Sequence, residues 1–172
     1  MITCPYCASE LKAEQENVYC SFCDIVLGPD SEWGMWAEDG TRVPGKKIKG
    51  FITADHAEKS VKELVSYHTY DLLVCLRLAR EERTKAYDLL KTFNKALDQG
   101  GVEFAEDAAA QGKVYEYWTK RCWVLENILM DRMGYFPERI TDDILLKMEA
   151  HSLRAQQRKM KISRERKVAS KI

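Results

Sequence analysis

Nowhere in this 172-residue chain do eighteen apolar residues run together, so no membrane-spanning helix is expected. The N-terminus lacks a basic segment followed by an apolar stretch, so no secretory signal is expected either. Together these absences point to a cytoplasmic, reducing compartment. Catalytic motifs are equally scarce. There is no Gly-rich phosphate loop of the P-loop or dinucleotide-binding type and no Gly-x-Ser-x-Gly elbow. The three histidines, His56, His68 and His151, are far apart and lack i, i+3 or i, i+4 ligand partners. No Glu-x-x-His occurs, which weighs against a di-iron carboxylate site. Numerous carboxylates fall beside Lys and Arg, as on solvated helix faces. The expectation is a protein that is not an enzyme.

Present instead is an ordinary apolar fraction of 45%, enough to bury a core. The formal net charge is zero, but it is unevenly spread. Residues 1–41 hold eight acids and one lysine, a net −7. Residues 42–146 balance at seventeen each, and residues 147–172 hold nine bases against two acids, a net +7. An acidic head, a neutral body and a basic tail follow one another, an asymmetry that suggests charged partners.

Four of the six cysteines form two Cys-x-x-Cys pairs, Cys4/Cys7 and Cys20/Cys23, separated by the twelve residues ASELKAEQENVY. Each pair places two sulfurs on one edge of a tetrahedron. A hairpin between the pairs completes four thiolate ligands and leaves no open position, so the expected cofactor is one structural Zn²⁺ per chain. Iron could use the same ligands and ranks below zinc. A redox Cys-x-x-Cys normally occurs once, within a βαβ unit, and structural disulfides do not suit a reducing compartment. With four thiolates and the metal counted, the head would carry about −9.

At these residues the chain resembles the zinc-ribbon superfamily, over the first 27 residues or up to residue 48 if the next hairpin belongs. Many ribbons carry Gly after the second cysteine of each knuckle, whereas here those positions are Ala8 and Asp24. The resemblance implies a small β fold and, because ribbons serve transcription factors, polymerase subunits, ribosomal proteins and enzymes alike, little about function. Asp39-Gly40, flanked by WGMWA and TRV, predicts a β-hairpin that extends the ribbon sheet. Trp33 and Trp36 there are either cover for a small core or anchors for a protein partner.

VPGKKIKG reads as a linker, which places a boundary at about 45–50. Beyond it the pattern is helical. A short helix is expected from Thr53 to Tyr67. A long one follows, with a seam of Leu72, Leu76, Ala79, Arg83, Ala86, Leu90, Phe93 and Leu97 in heptad steps. Gly100-Gly101 stops it. The next helix carries Phe104, Ala108, Gln111, Tyr115, Trp118, Cys122, Leu125 and Leu129, widened by Val114, Tyr117, Val124 and Ile128, and ends at Gly134. A last helix begins at Thr141 with Ile144, Leu145, Met148 and Ala155 toward a core. Cys75 and Cys122 read as buried small apolar residues.

The expected fold is mainly α: an acidic Cys4 zinc ribbon over 1–48, an antiparallel bundle of about four helices over 49–155, and a basic extension over 156–172 that projects or frays. The leading functional reading is a zinc-binding adaptor or regulator acting through protein contacts. Its setting, by fold-level analogy, is transcription or replication machinery. Trp33, Trp36, Glu32, Glu38 and Asp39 are the expected partner-contacting residues. The alternative is nucleic-acid binding by Arg154, Arg158, Lys159, Lys161, Arg164, Arg166 and Lys167. The tail has no aromatic residue to stack on bases, so such binding would be weakly sequence-specific. The acidic head disfavours phosphate contact by the ribbon itself. Nothing in the pattern excludes a homo-oligomer.

Overall fold

A computed structural model describes residues 1–12 and 16–162. The chain is mainly α, with a small N-terminal β region, and divides into two compact units. One comprises Met1–Gly45 together with the chain from Ala150 onward, and the other comprises Lys46–Glu149. Among the described residues no helix is long and apolar enough to cross a membrane.

The first unit is built from four short strands. β2 (Val18–Cys20) and β3 (Ile25–Leu27) pair antiparallel, with Tyr19 opposite Val26. The two-residue alternation of a strand sends Val18, Cys20 and Leu27 inward and leaves Tyr19 and Val26 exposed. β1 (Ile2–Thr3) pairs antiparallel with β4 (Ala37–Glu38). This differs from the expected hairpin between WGMWA and TRV. The Asp39-Gly40 turn does form, with φ of 48° and 67° and a Thr41 N–H to Glu38 carbonyl bond of 2.8 Å. The arm after it has no strand, because β4 finds its partner in β1 instead. Among the described residues the buried core here is Cys4, Leu11, Val18, Cys20 and Leu27, with Trp36 packed against it. A core of five residues is too small to hold such a unit without a cross-link or a metal.

In the second unit the expected single helix at 53–67 is two. α1 is Ala54–Ala57 and α2 is Val61–Leu64. The break is a capping box: Glu63 N–H donates to Ser60 Oγ at 3.3 Å, and Ser60 N–H donates to Glu63 Oε2 at 3.2 Å. α3 (Thr69–Asp98) and α4 (Ala105–Met133) form a long antiparallel hairpin, joined through a single 3₁₀ turn at Val102–Phe104. Gly134, in the left-handed region at φ 75°, ends α4. α5 (Asp142–Gln157) spans the boundary between the units.

The hairpin buries unevenly. Leu72, Leu73, Leu76 and Ala79 meet Cys122, Leu125, Ile128 and Leu129, and α1, α2 and Leu145 close this end with Ala57 and Leu64. Between Tyr87 and Asp107 nothing is buried. The seam residues Leu90, Phe93 and Leu97 are only half-buried, as are Arg83, Phe104, Gln111, Tyr115 and Trp118. Two helices alone can cover each other along one stripe only, and among the described residues no third element lies over this half. Val114 and Tyr117 are also exposed, the Tyr117 hydroxyl donating to Glu58 Oε2 at 2.7 Å. In α5, Leu145 is buried and Met148 is half-buried, while Ile144 and Ala155 are exposed, unlike the expected inward stripe.

Arginines tie the ends of the short elements. Arg121 donates to the carbonyls of Ala57 and Lys59 after α1, and Arg132 to those of Tyr67 and Val65 after α2. These are the carbonyls that a helix C-terminus leaves unpaired. Arg80 Nη1 reaches the carbonyls of Pro137 and Glu138 at 2.8 and 2.9 Å, and its Nη2 pairs with Glu126 at 2.8 Å. His56 and His68 serve as local helix caps: Thr53 N–H donates to His56 Nδ1, and Tyr70 N–H donates to His68 Nδ1.

Candidate metal centre

Each Cys-x-x-Cys folds as a tight knuckle. In the first, Ala8 N–H donates to the Cys4 carbonyl at 2.9 Å and Cys4 N–H donates to the Ser9 carbonyl at 2.9 Å. Ala8 and Asp24, the residues after each second cysteine, adopt φ of 61° and 56°. This is the left-handed conformation that glycine takes freely, so both knuckles close despite lacking Gly. The Tyr19 hydroxyl donates to Asp24 Oδ1 at 2.6 Å and steadies the second.

The pairing of β2 with β3 and the bridge between Thr3 and Glu10 bring the knuckles face to face. The four sulfurs lie within 4.8 Å of one another, with Cys4–Cys23 at 3.8 Å and Cys7–Cys20 at 3.6 Å. Four ligands at about 2.3 Å in a tetrahedron around zinc would stand about 3.8 Å apart. A disulfide would require about 2.05 Å, and all six cysteines are free thiols. The donor set therefore fits one metal ion with a closed coordination shell. Among the described residues these four cysteines are the group so arranged.

Electrostatics at the cluster point the same way. Burial pushes the Cys4 thiol up, partly offset by the N–H groups of Cys7 and Tyr6. Burial and its three sulfur neighbours push Cys23 up to about 12. At Cys7 burial acts upward, but the Ser9 hydroxyl 3.1 Å away, the Ser9 backbone and the neighbouring thiols bring it down to about 6. The Cys7 sulfur ionises readily, and the Cys4 and Cys23 thiols then resist, because thiolates this close repel one another. A divalent cation removes that conflict. Cys75 and Cys122 are separate: both are fully buried in α3 and α4, and burial pushes Cys75 up to about 12, as expected of inert apolar-site thiols.

Beside the first knuckle lies an open groove of about 500 Å³. Pro5 and Tyr6, the two residues inside the first Cys-x-x-Cys, form one wall, and Glu32, Trp33, Met35 and Trp36 form much of the rest. Trp33 is 49% exposed and Tyr6 57%, with ring centroids 6.1 Å apart and planes at 87°. Of the five expected partner-contacting residues, Glu32, Trp33 and Trp36 come together here. Trp36 also covers the small core. Glu38 and Asp39 do not line the groove; Asp39 lies 3.3 Å from the Met1 amino group. Sequence reasoning missed Tyr6, whose only signal was an aromatic residue between two cysteines of the cluster.

His151, Arg154 and Arg158 share one face of the C-terminal segment around a cavity of about 380 Å³. Lys159 and Lys161 are exposed, while Arg164, Arg166 and Lys167 lie outside the described residues. The segment is also tied down: Met160 N–H donates to the Gly40 carbonyl at 2.8 Å. No family model matches this chain. No curated protein matches it. No solved structure matches it.

Proposed function

We propose that this protein is a zinc-binding adaptor that acts through protein contacts and not by catalysis. Its first unit would be a zinc ribbon whose metal shapes a docking groove, and its helices would form a bundle-like scaffold. The observation that supports this most directly is that Pro5 and Tyr6 lie between two metal-ligand cysteines and also wall the groove with Trp33. A metal that fixes the knuckle would thereby fix a partner-binding surface. Transcription or replication machinery is the proposed setting. Protein purified without added metal is expected to contain one zinc per chain; absence of zinc, with disulfides among these cysteines, would defeat the metal reading. Capture of a partner from host extract is expected to be lost in Trp33→Ala, a substitution at an exposed ring, while metal content stays unchanged.

The grouping of His151, Arg154 and Arg158 on one face favours a second reading, in which the C-terminal segment binds nucleic acid through phosphates. Deleting residues 156–172 separates the two. It should abolish nucleic-acid binding under the second reading and leave partner capture intact under the first.

A further inference from the structure

The groove at the first knuckle combines an unusual set of properties for a surface of this size. Tyr6 and Trp33 are both more than two-fifths exposed, although large aromatic rings are normally well buried. Their planes stand at 87°, so they form two walls of a corner. Met35, 48% exposed, extends the apolar lining. Among the described residues the one charged side chain in the lining is the carboxylate of Glu32. Electron-rich ring faces beside a carboxylate attract a cation, and they leave a phosphate without a donor.

Residues 1–45, which supply the described lining, carry eight acids against Lys12 and Arg42, a net −6 before any thiolate is counted; the basic segment from Ala150 onward balances this over the unit, so the preference rests on the local charge of the lining. Lys46, the first lysine after the groove residue Gly45, has its amine committed to the Val65 carbonyl. Arg42 is exposed and does not line the groove. A nucleobase could stack on these rings, but its phosphates would meet no cationic side chain among the described lining residues. A proline-rich segment would use the rings and leave Glu32 unanswered.

We infer that the corner between Tyr6 and Trp33, with Glu32 at its rim, receives the cationic side chain of a lysine or arginine carried by a basic partner peptide. This rests on the adaptor reading and names the chemistry of the partner. The aliphatic stem of such a side chain lies along the apolar lining while its head meets the ring faces and the carboxylate. The ion pair with the exposed Glu32 carboxylate is screened as salt rises.

The test uses the zinc-loaded full chain and fluorescence anisotropy of four labelled probes of similar length: a glycine–lysine peptide, a proline-rich peptide, an acidic peptide and a single-stranded oligonucleotide. The lysine peptide is expected to bind best, and to weaken as salt rises. Tyr6→Ala and Trp33→Ala should each weaken it about threefold to tenfold, while Tyr6→Phe and Trp33→Phe, which keep a ring face, should retain most of the affinity. Glu32→Gln, at an exposed position that folding does not need, should weaken it by about twofold to fivefold and flatten the salt dependence. Equal binding by wild type, Trp33→Ala and Glu32→Gln overturns the inference, as does a preference for the proline-rich peptide or the oligonucleotide. A host partner captured through Trp33 but not displaced by the lysine peptide overturns this inference and leaves the adaptor reading standing. Failure to capture any partner through the ribbon overturns the adaptor reading whatever the peptide does.

Discussion

Ala8 sits at φ 61° with a Cβ, where a left-handed backbone costs roughly 1–2 kcal/mol relative to glycine's freedom. Ala8→Gly relieves that strain and adds backbone entropy to the unfolded chain, so the net gain should be about 0.5–1 kcal/mol. It would be read as a tighter hold on zinc in competition with a chelator; a weaker hold would show that the knuckle carries no strain. Gly40 is the opposite case. It has φ 67°, and a Cβ there would lie 2.7 Å from the Met160 carbonyl oxygen. Its N–H also donates to the buried Thr3 Oγ1 at 3.0 Å. Gly40→Ala should therefore loosen the C-terminal segment from the turn, and limited trypsin digestion should cut faster at Arg158, Lys159 and Lys161. Unchanged cleavage would mean that the Met160–Gly40 bond does not hold the segment in solution.

At the scale of elements, the hairpin of α3 and α4 is two structures in series. Leu125 is fully buried where α1, α2 and α5 close the core, and Leu125→Ala should cost about 2–5 kcal/mol in thermal or denaturant unfolding. Leu90 is only half-buried, so Leu90→Ala should cost clearly less, about 1 kcal/mol, in proportion to the smaller area it hides. Equal losses would show that the distal half is covered in solution. The first turn of α3 has its own anchor. Asp71 is fully buried, and its carboxylate accepts the Lys49 N–H at 3.2 and 3.1 Å, which pins the linker to the helix. Burial, the largest influence, holds its pKa above the ordinary 3.8 despite that hydrogen bond and the charges of His68 and Lys49. A folded state that keeps this proton longer than the unfolded chain is favoured at low pH, and that advantage fades as pH rises from about 3.8 through the raised value. The stability of the wild type relative to Asp71→Asn should accordingly fall with pH over that window. A difference that rises with pH would reverse the assignment.

For the whole molecule, the two units draw on different sources of stability. Among the described residues the second has a continuous apolar core of fourteen buried residues, and the first has five, two of them cysteines of the cluster. Chelation or Cys20→Ser should therefore unfold the strands and the groove while most helical circular dichroism remains, since α3 and α4 do not depend on the metal. Loss of the helical signal along with the zinc would show that the units fold as one. The same treatment should free the segment around Met160, because its carbonyl partner Gly40 sits in a turn built on the first unit.

The cysteine cluster was legible in the sequence because its chemistry is local: two short turns, each with ligands three residues apart, need only one hairpin to meet. Helix positions and most of their ends were legible too, because amphipathic period and glycine stops are written residue by residue. What the linear pattern could not contain was which faces would be covered. The heptad seam runs from Leu72 to Leu97 in sequence with a break at Arg83 alone, yet none of it beyond Ala86 is buried, because burial depends on the short helices that return to that end. The Asp39-Gly40 turn was plain, but the partner of its strand was decided by β1, with Ile2 opposite Glu38 and Thr3 opposite Ala37. Tyr6 joined Trp33, and Met160 reached Gly40, through contacts between residues distant along the chain. Local propensity determines the elements. Their neighbours, and with them the groove, follow from which arrangement buries the most apolar surface while pairing the remaining polar groups.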